Sequence, residues 1–521
     1  MLFSQVAVDL ARAQFGFTAI CHFLFVPLTI GLPWLLLTME LLHIYSGKLI
    51  YSNMIDFWKK IFLINLLFDF IAKEVFKIEY KLYWPKFSHI INQLFGTTFT
   101  YPDKLITVAI VIFACIYFFT WKKISYYLHL LITVFLTIFI ASSIVNPIVM
   151  NSWMQHPVAC YFDLHTMTFH VSSLLQIYIQ PQAYLRILHM FFASLLVSSM
   201  FMLGTSSYYL LKNERVDFAL HSFSLALIIG LIACVSIFVS GDSDGLLILK
   251  DEPEKMAALE GQWNTQIPPA AWYVIAIPDQ IKQENRFVIE IPYALSLIAT
   301  HSLIGTVEGL KDRIAANTIK IRRGILANNA LAQIHLNNNS AENMRIFQQN
   351  VEFLGYGALL NKYTENHILV TSEQIQRAAN DSVPQMSIVF WAFRVMLYSW
   401  GICSVILIMG LYLNRRKRYN RSEGCGGRHH HHIPSWYLRF AFYTIPVPYI
   451  AAEAGWVLAE AGRQPWLVYG IVPTFSAAST LPALSIGLSL IGFSIFFLLV
   501  LFIYFYFMFT YGYKRNLPPS L

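Results

Sequence analysis

The chain has 521 residues, of which 56% are hydrophobic, 16% aromatic and only 13% charged. Soluble proteins carry roughly 25% charged residues, so this composition, with a mean hydropathy of +0.53, argues against a water-soluble globule and for a polytopic membrane protein. The net charge of +8 comes from basic residues spread along inter-helical loops, a membrane-orientation pattern with no nucleic-acid patch in it.

Apolar stretches long enough to cross ~30 Å of hydrocarbon predict nine helices, near 15–43, 57–72, 104–121, 124–150, 187–211, 217–240, 386–413, 437–460 and 478–511. Arg12, followed by a long span with no A-x-A site, predicts no cleavable leader. With the N-terminus outside, sixteen lysines and arginines fall on the inner side and eight on the outer. That predicts a periplasmic N-terminus and a cytoplasmic C-terminus. Five of the outer eight crowd into 73–104.

The expected fold is an all-α polytopic membrane protein with a large outer loop domain between helices six and seven. Residues 1–240 carry helices one to six, 241–385 the loop domain, and 386–521 helices seven to nine with a basic cytoplasmic loop at 414–436. The 241–385 segment holds 16 acidic and 12 basic residues, as a water-exposed domain does. Its 308–335 and 341–361 stretches have helical periodicity, parted by the polar turn Asn337 to Ser340. None of Cys21, Cys115, Cys160, Cys234, Cys403 and Cys425 forms a CxxC pair, which argues against a disulfide framework or a zinc site. The run His429 to His432 beside Cys425 reads as incidental.

Ligating side chains at membrane depth are costly and point to function. His22 opens the first span, His189 the fifth, Met396 lies in the seventh and Glu453 in the eighth. At ~1.5 Å rise per residue, all four fall in the outer half of the membrane, as a buried cofactor layer needs. A histidine and a methionine on facing helices can ligate haem iron axially. Taken singly, each has a plainer account: an interior hydrogen-bonded histidine, a packing methionine, a glutamate in a proton relay or a transport site. In the outer segment, Lys255 and Glu260 stand five apart in Lys255-Met256-Ala257-Ala258-Leu259-Glu260-Gly261-Gln262-Trp263, where they are either a solvated face or a pair that hydrogen-bonds a quinol. Arg463, in Gly462-Arg463-Gln464-Pro465-Trp466, has the planar fork that suits haem propionates.

The whole chain resembles subunit I of the bacterial cytochrome bd-type quinol oxidases, in the form with the long quinol loop. The strings that carry the resemblance run in order from end to end. They are His22-Phe23-Leu24-Phe25-Val26-Pro27-Leu28-Thr29, Trp153-Met154-Gln155, Gly241-Asp242, Lys255 to Trp263, Ile291-Pro292-Tyr293-Ala294-Leu295, Gly355-Tyr356-Gly357, Phe393-Arg394-Val395-Met396, and Glu453-Ala454-Gly455-Trp456 through Trp466. The resemblance implies two haems b and one haem d, the last replaceable by haem b. His189 and Met396 match the ligands of the low-spin haem, and His22 and Glu453 those of the high-spin pair where dioxygen is reduced. Lys255 and Glu260 match the quinol site, Arg394 and Arg463 arginines near the haems, and Ser143 and Asn151 positions near a proton route. Implied partners are a second membrane subunit, a very short third one, ubiquinol or menaquinol, dioxygen and the lipid bilayer.

One stretch departs from that pattern. Between roughly 66 and 115 the family's glycine-rich run is replaced, and its two third-helix glutamates fall on Pro102 and Ile110. Asp103 stands one residue from the first, as a candidate catalytic acid. The chain is therefore expected to be either an active quinol:dioxygen oxidoreductase or a haem-binding but catalytically impaired subunit. A secondary transporter using Glu453 is the remaining alternative, although such folds show inverted repeats and broken helices.

Overall fold

The computed structural model describes residues 5–163, 168–336, 340–364, 369–421 and 433–514. The His429–His432 run, Cys425 and Asn337–Asn339 lie outside them.

Helix α1 (Gln5–Phe23) and helix α2 (Val26–Ser46) together form the first span, broken at Leu24–Phe25. Pro27, in the first turn of α2, lacks an amide to continue the ladder, so a new helix starts there. Gly47, at φ +65, closes α2 by returning its N–H to the His43 carbonyl at 2.9 Å. Helix α3 (Leu49–Tyr83) has 35 residues and is therefore about 52 Å long. It contains the predicted 57–72 span, but its C-terminal half carries the ionisable Asp69, Lys73, Glu74, Lys77 and Glu79. Helices α4 (Pro85–Phe95) and α5 (Thr97–Thr120) follow. Then α6 (Tyr126–Ser142) and α7 (Val145–Gln155) form one span broken at Ser143–Ile144.

A hairpin of β1 (Cys160–Asp163) and β2 (Thr168–Val171) and the short α8 (Leu174–Ile179) lead to the long α9 (Pro181–Leu211) and α10 (Val216–Asp251). After α10, the 241–385 segment continues with α11 (Pro253–Leu259) and an antiparallel hairpin, β3 (Trp272–Asp279) and β4 (Glu284–Ile291). It continues through α12 (Ala294–Thr300), α13 (Leu310–His335), α14 (Ala341–Asn350), α15 (Leu354–Ala358) and α16 (Ser372–Asn380). The predicted 341–361 helix is thus shorter, ending at Asn350 before 3₁₀ turns. Helix α17 (Met386–Arg421) returns through the bundle. The eighth span is split into α18 (Ser435–Tyr443) and α19 (Val447–Gly462) around Pro446, and β5 (Trp466–Val468), β6 (Val472–Pro473), α20 (Thr474–Ala477) and α21 (Ala483–Phe509) complete the chain.

Among the described residues, seven helical segments are long and apolar enough to cross a membrane. They coincide with seven of the nine predicted spans. The other two lie in α3, where charge lowers the hydropathy, and in α18–α19, where the break leaves two short helices.

Two apolar cores form. One fills the bundle with residues such as Trp58, Phe62, Leu203 and Phe223. The other lies where the bundle meets the 241–385 segment, around Trp153, Met256, Leu310, Tyr356 and Trp466. The Gly355-Tyr356-Gly357 string seals this seam through close backbone approach: a β-carbon on Gly355 would stand 2.2 Å from the Gly470 carbonyl oxygen.

Candidate functional site

Helix α19 carries Glu453, and the turn that follows meets Met396 of α17 at Gly455 and the end of α1 at Phe23, the chain neighbour of His22. Trp456 stacks on Phe23, with centroids 4.3 Å apart and planes at 13°, which brings the end of α1 against α19, while the His22 ring itself packs on Phe76 of α3. Cys21, beside His22, is within electrostatic reach of Glu453. On the neighbouring helix α17, Met396 faces Gly455, where a β-carbon would lie 3.2 Å from its sulfur. The glycine therefore makes room for the thioether. His22, Met396 and Glu453 are all partly buried. His22 Nδ1 and Glu453 Oε2 are buried atoms without a hydrogen-bond partner, an unusual condition in a folded protein.

His189 lies on α9 and packs on α10. Gly241 leaves space for the imidazole, since a β-carbon there would stand 3.2 Å from Cε1. Nδ1 is 3.2 Å from Ser240 Oγ, which leaves Nε2 available as a ligand. Among the described residues no hydrogen bond or ring contact joins His189 to Met396.

The structure does not bring Lys255 and Glu260 together. Buried Lys255 reaches Glu252 at 3.0 Å and hydrogen-bonds Gln155. Burial holds the Lys255 ammonium below its ordinary value, against the opposing pull of Glu252. Glu252 also accepts from Arg186 at 2.6 Å. Gln155 donates to Asn151, which donates to Glu460, and Glu460 accepts from Arg463. A continuous chain of hydrogen bonds thus runs from Arg186 on α9, through Lys255, to the Arg463 turn after α19. Arg463 is 5% exposed, and its Nε and Nη1 lack partners, so two donors remain for an anionic group.

Glu260 belongs to a separate cluster. It accepts from Trp272 Nε1 at 3.0 Å and from Arg394 at 2.9 Å. Arg394 is fully buried, donates further to the Leu259 and Tyr273 carbonyls, and lies over the Trp272 and Phe390 rings. Unlike Arg463, it is fully committed within the protein.

On α5, Pro102 is exposed and Ile110 packs partly buried against the bundle core. Asp103 accepts from Asn146 at 2.9 Å, and Asn146 in turn accepts from Tyr178 at 2.7 Å. Ser143 bonds its own helix through the Ile140 carbonyl.

Several polar participants were missed from sequence: Arg186, Glu252 and Glu460 in the outer network, and Asp69 and Glu79 near His22. His22 Nε2 stands 3.7 Å from Asp69 Oδ1, and both carboxylate oxygens of Glu79 are buried without partners. Position inside a helix otherwise long enough to span was the available signal for Asp69. Nothing in the sequence distinguishes Glu460 from an ordinary helix-end acid.

Comparison with known proteins adds an independent line. The family described as cytochrome bd terminal oxidase subunit I matches residues 10–516. The chain is 32% identical over 484 residues to cytochrome bd-II ubiquinol oxidase subunit 1 of Escherichia coli (strain K12), covering 93% of this chain and 92% of that one. It is 28% identical over 492 residues to cytochrome bd ubiquinol oxidase subunit 1 of Bacillus subtilis (strain 168), covering 94% and 90%. The fold resembles the bd oxidase structure from Geobacillus thermodenitrificans, with a TM-score of 0.75 over 99% of this chain and 100% of the other, at 19% identity.

Proposed function

The chain belongs to the cytochrome bd terminal oxidase subunit I family, and from that premise we propose that it oxidises quinol at the outer face of a bacterial inner membrane. In this reading it reduces dioxygen to water with protons taken from inside. Separating the two half-reactions across the bilayer builds a proton gradient without a pump. The N-terminus lies outside, the C-terminus inside, and 241–385 is the periplasmic quinol domain.

His189 and Met396 would hold one haem b, while His22 and Glu453 would hold the high-spin pair, a haem b and a haem d or second b. Haem when bound supplies one-electron transfer and the open iron position that dioxygen needs. The donor chemistry suits it. His189 has its second nitrogen on Ser240, and His22 Nδ1 and Glu453 Oε2 are unsatisfied. Arg463 keeps two free donors in the fork geometry that binds propionates.

Lys255 and Glu260 orient the quinol, and Lys255 leads a departing proton into the Glu252–Gln155–Asn151–Glu460 network. Arg394 positions Glu260. Asp103 is the candidate acid on the proton route, beside Ser143 and Asn151. A second membrane subunit of similar size and a very short one complete the complex. The observation that carries the proposal is that two of the predicted ligands, His22 through Nδ1 and Glu453 through Oε2, keep buried donor atoms that nothing among the described residues satisfies.

The apolar Ile110 on α5 favours a second reading, a haem-binding subunit with impaired turnover, because moving protons through hydrocarbon needs carboxylates or water. Pyridine-haemochrome analysis with oxygen uptake on the purified complex tests both. Three haems with quinol-dependent uptake is the expected result. Three haems without uptake establishes the impaired subunit, and no haem at all overturns the proposal.

A further inference from the structure

The stretch of α3 that departs from the family's pattern faces His22 with one stripe of side chains. Asp69 and Phe76 stand at helical spacing along it, with Asn65 one turn before Asp69. Asn65 fixes the helix beside the α1–α2 break: its amide donates to the Phe25 carbonyl at 3.0 Å and to Thr29 Oγ at 2.8 Å, and it accepts from Tyr504 at 2.9 Å. One turn on, Asp69 Oδ1 stands 3.7 Å from His22 Nε2. Phe76 stacks on the imidazole, with centroids 5.6 Å apart and planes at 15°. The ring is therefore held at its face by Phe76 and approached at its edge by a carboxylate. Lys73 is within electrostatic reach of both Asp69 and His22.

Asp69 also lies beside Thr29 and Lys73, but the oxygen that approaches His22 Nε2 is not used by either of the hydrogen bonds Asn65 makes nearby, and it leaves His22 Nδ1 as the nitrogen free to bind iron. Asp69 Oδ1 and His22 Nδ1 are both buried without hydrogen-bond partners. A separation of 3.7 Å exceeds a hydrogen bond, but a modest rotation about the Asp69 side chain or one bridging water closes it. Ligating histidines generally donate their other ring N–H to a carboxylate, a carbonyl or water, which orients the ring and makes it a stronger donor to the metal.

We propose that Asp69 is a positioning residue for His22, holding one imidazole nitrogen so that the other is directed at iron and made more electron-donating. The inference rests on His22 being a haem ligand, as proposed above.

The test uses the intact complex with Asp69→Asn, Asp69→Glu and His22→Ala, read by haem content, potentiometric titration and the resonance Raman iron–histidine stretch. Asp69→Asn is expected to keep the haem while shifting its midpoint to more positive potential and its stretch to lower frequency. Asp69→Glu is expected to restore both. If Asp69→Asn instead loses that haem while Asp69→Glu retains it, the proposal also stands. Unchanged potential and stretch in Asp69→Asn, or equal changes in both variants, overturns it, because a merely structural carboxylate would not act through charge. Full haem content in His22→Ala instead defeats the underlying ligand assignment.

Discussion

Arg394 Nη2 and Glu260 Oε2 lie 2.9 Å apart with both side chains almost wholly sealed from solvent, so the segment that resembles a quinol site is tied to a point two residues from Met396. Breaking such a pair strands a charge in a poorly solvating interior, at a cost of roughly 3–5 kcal/mol. Glu260→Ala and Arg394→Met are each expected to lower the thermal midpoint of the complex substantially. The double variant should be much less destabilised than the sum of the two, since no lone charge remains. A double-mutant cycle by thermal unfolding measures this, and additive losses would show that the pair is not coupled.

Acid should loosen the outer segment before the bundle. Burial alone would raise the Glu252 carboxyl, but Lys255 and Arg186 more than offset it and hold it below the ordinary carboxylate value. Burial acts likewise on Glu254, where Arg313 and Lys320 bring it down. A carboxyl with a depressed folded-state pKa contributes stability that is fully present above its unfolded value near 4.5. That stability is lost as pH falls through the folded value. Each unit of depression is worth about 1.4 kcal/mol. Hydrogen-exchange protection across 241–385, taken relative to the intrinsic rate at each pH, is expected to fall as pH drops below 4.5, and Glu254→Gln should flatten that dependence. A dependence unchanged in that variant would place the acid sensitivity elsewhere.

What the sequence disclosed and what it hid follow from range. Apolar runs mark helices directly, and Pro27 and Pro446 sit at the breaks that divide spans read as continuous. The β3–β4 hairpin was not anticipated, because its register contains irregularities between Tyr273 and Ile277 that blur the two-residue alternation. The single strings around Met396 and Glu453 flagged the candidate ligands. Their partners were invisible because the contacts are distant in the chain: Arg394 and Glu260 are 134 residues apart, and Asn65 meets Tyr504 across 439. Only the folded helices show that Lys255 and Glu260 turn to different partners.

Asn65 offers a test of how α3 is seated. Its amide serves Phe25, Thr29 and Tyr504 at once, fully buried. Asn65→Leu keeps the volume but strips the Tyr504 hydroxyl of its acceptor and leaves the Phe25 carbonyl only the Thr29 N–H, at roughly 1–3 kcal/mol for each group left unpaired where water cannot reach. A lowered thermal midpoint together with a perturbed His22-linked haem spectrum is expected, because the carbonyl that Asn65 holds lies three residues from His22. A midpoint within error of the parent would show that the bundle seats α3 without this amide.

Met396 and Gly455 give the sharpest spectroscopic prediction. Leucine at 396 preserves apolar volume but has no sulfur, so Met396→Leu should convert the low-spin iron to a five-coordinate form. An unchanged reduced-minus-oxidised spectrum would contradict the ligand assignment. Gly455→Val reaches the same atom from the other side. Its β-carbon alone would stand 3.2 Å from the Met396 sulfur, and the two methyl groups beyond it cannot be accommodated without moving the thioether. Overpacking of this kind costs roughly 1–3 kcal/mol, small enough for the complex to assemble. The expected result is an assembled complex with a weakened low-spin band, less severe than in Met396→Leu. A full band in Gly455→Val alongside a lost one in Met396→Leu would mean that the thioether approaches the iron from a direction the glycine does not govern.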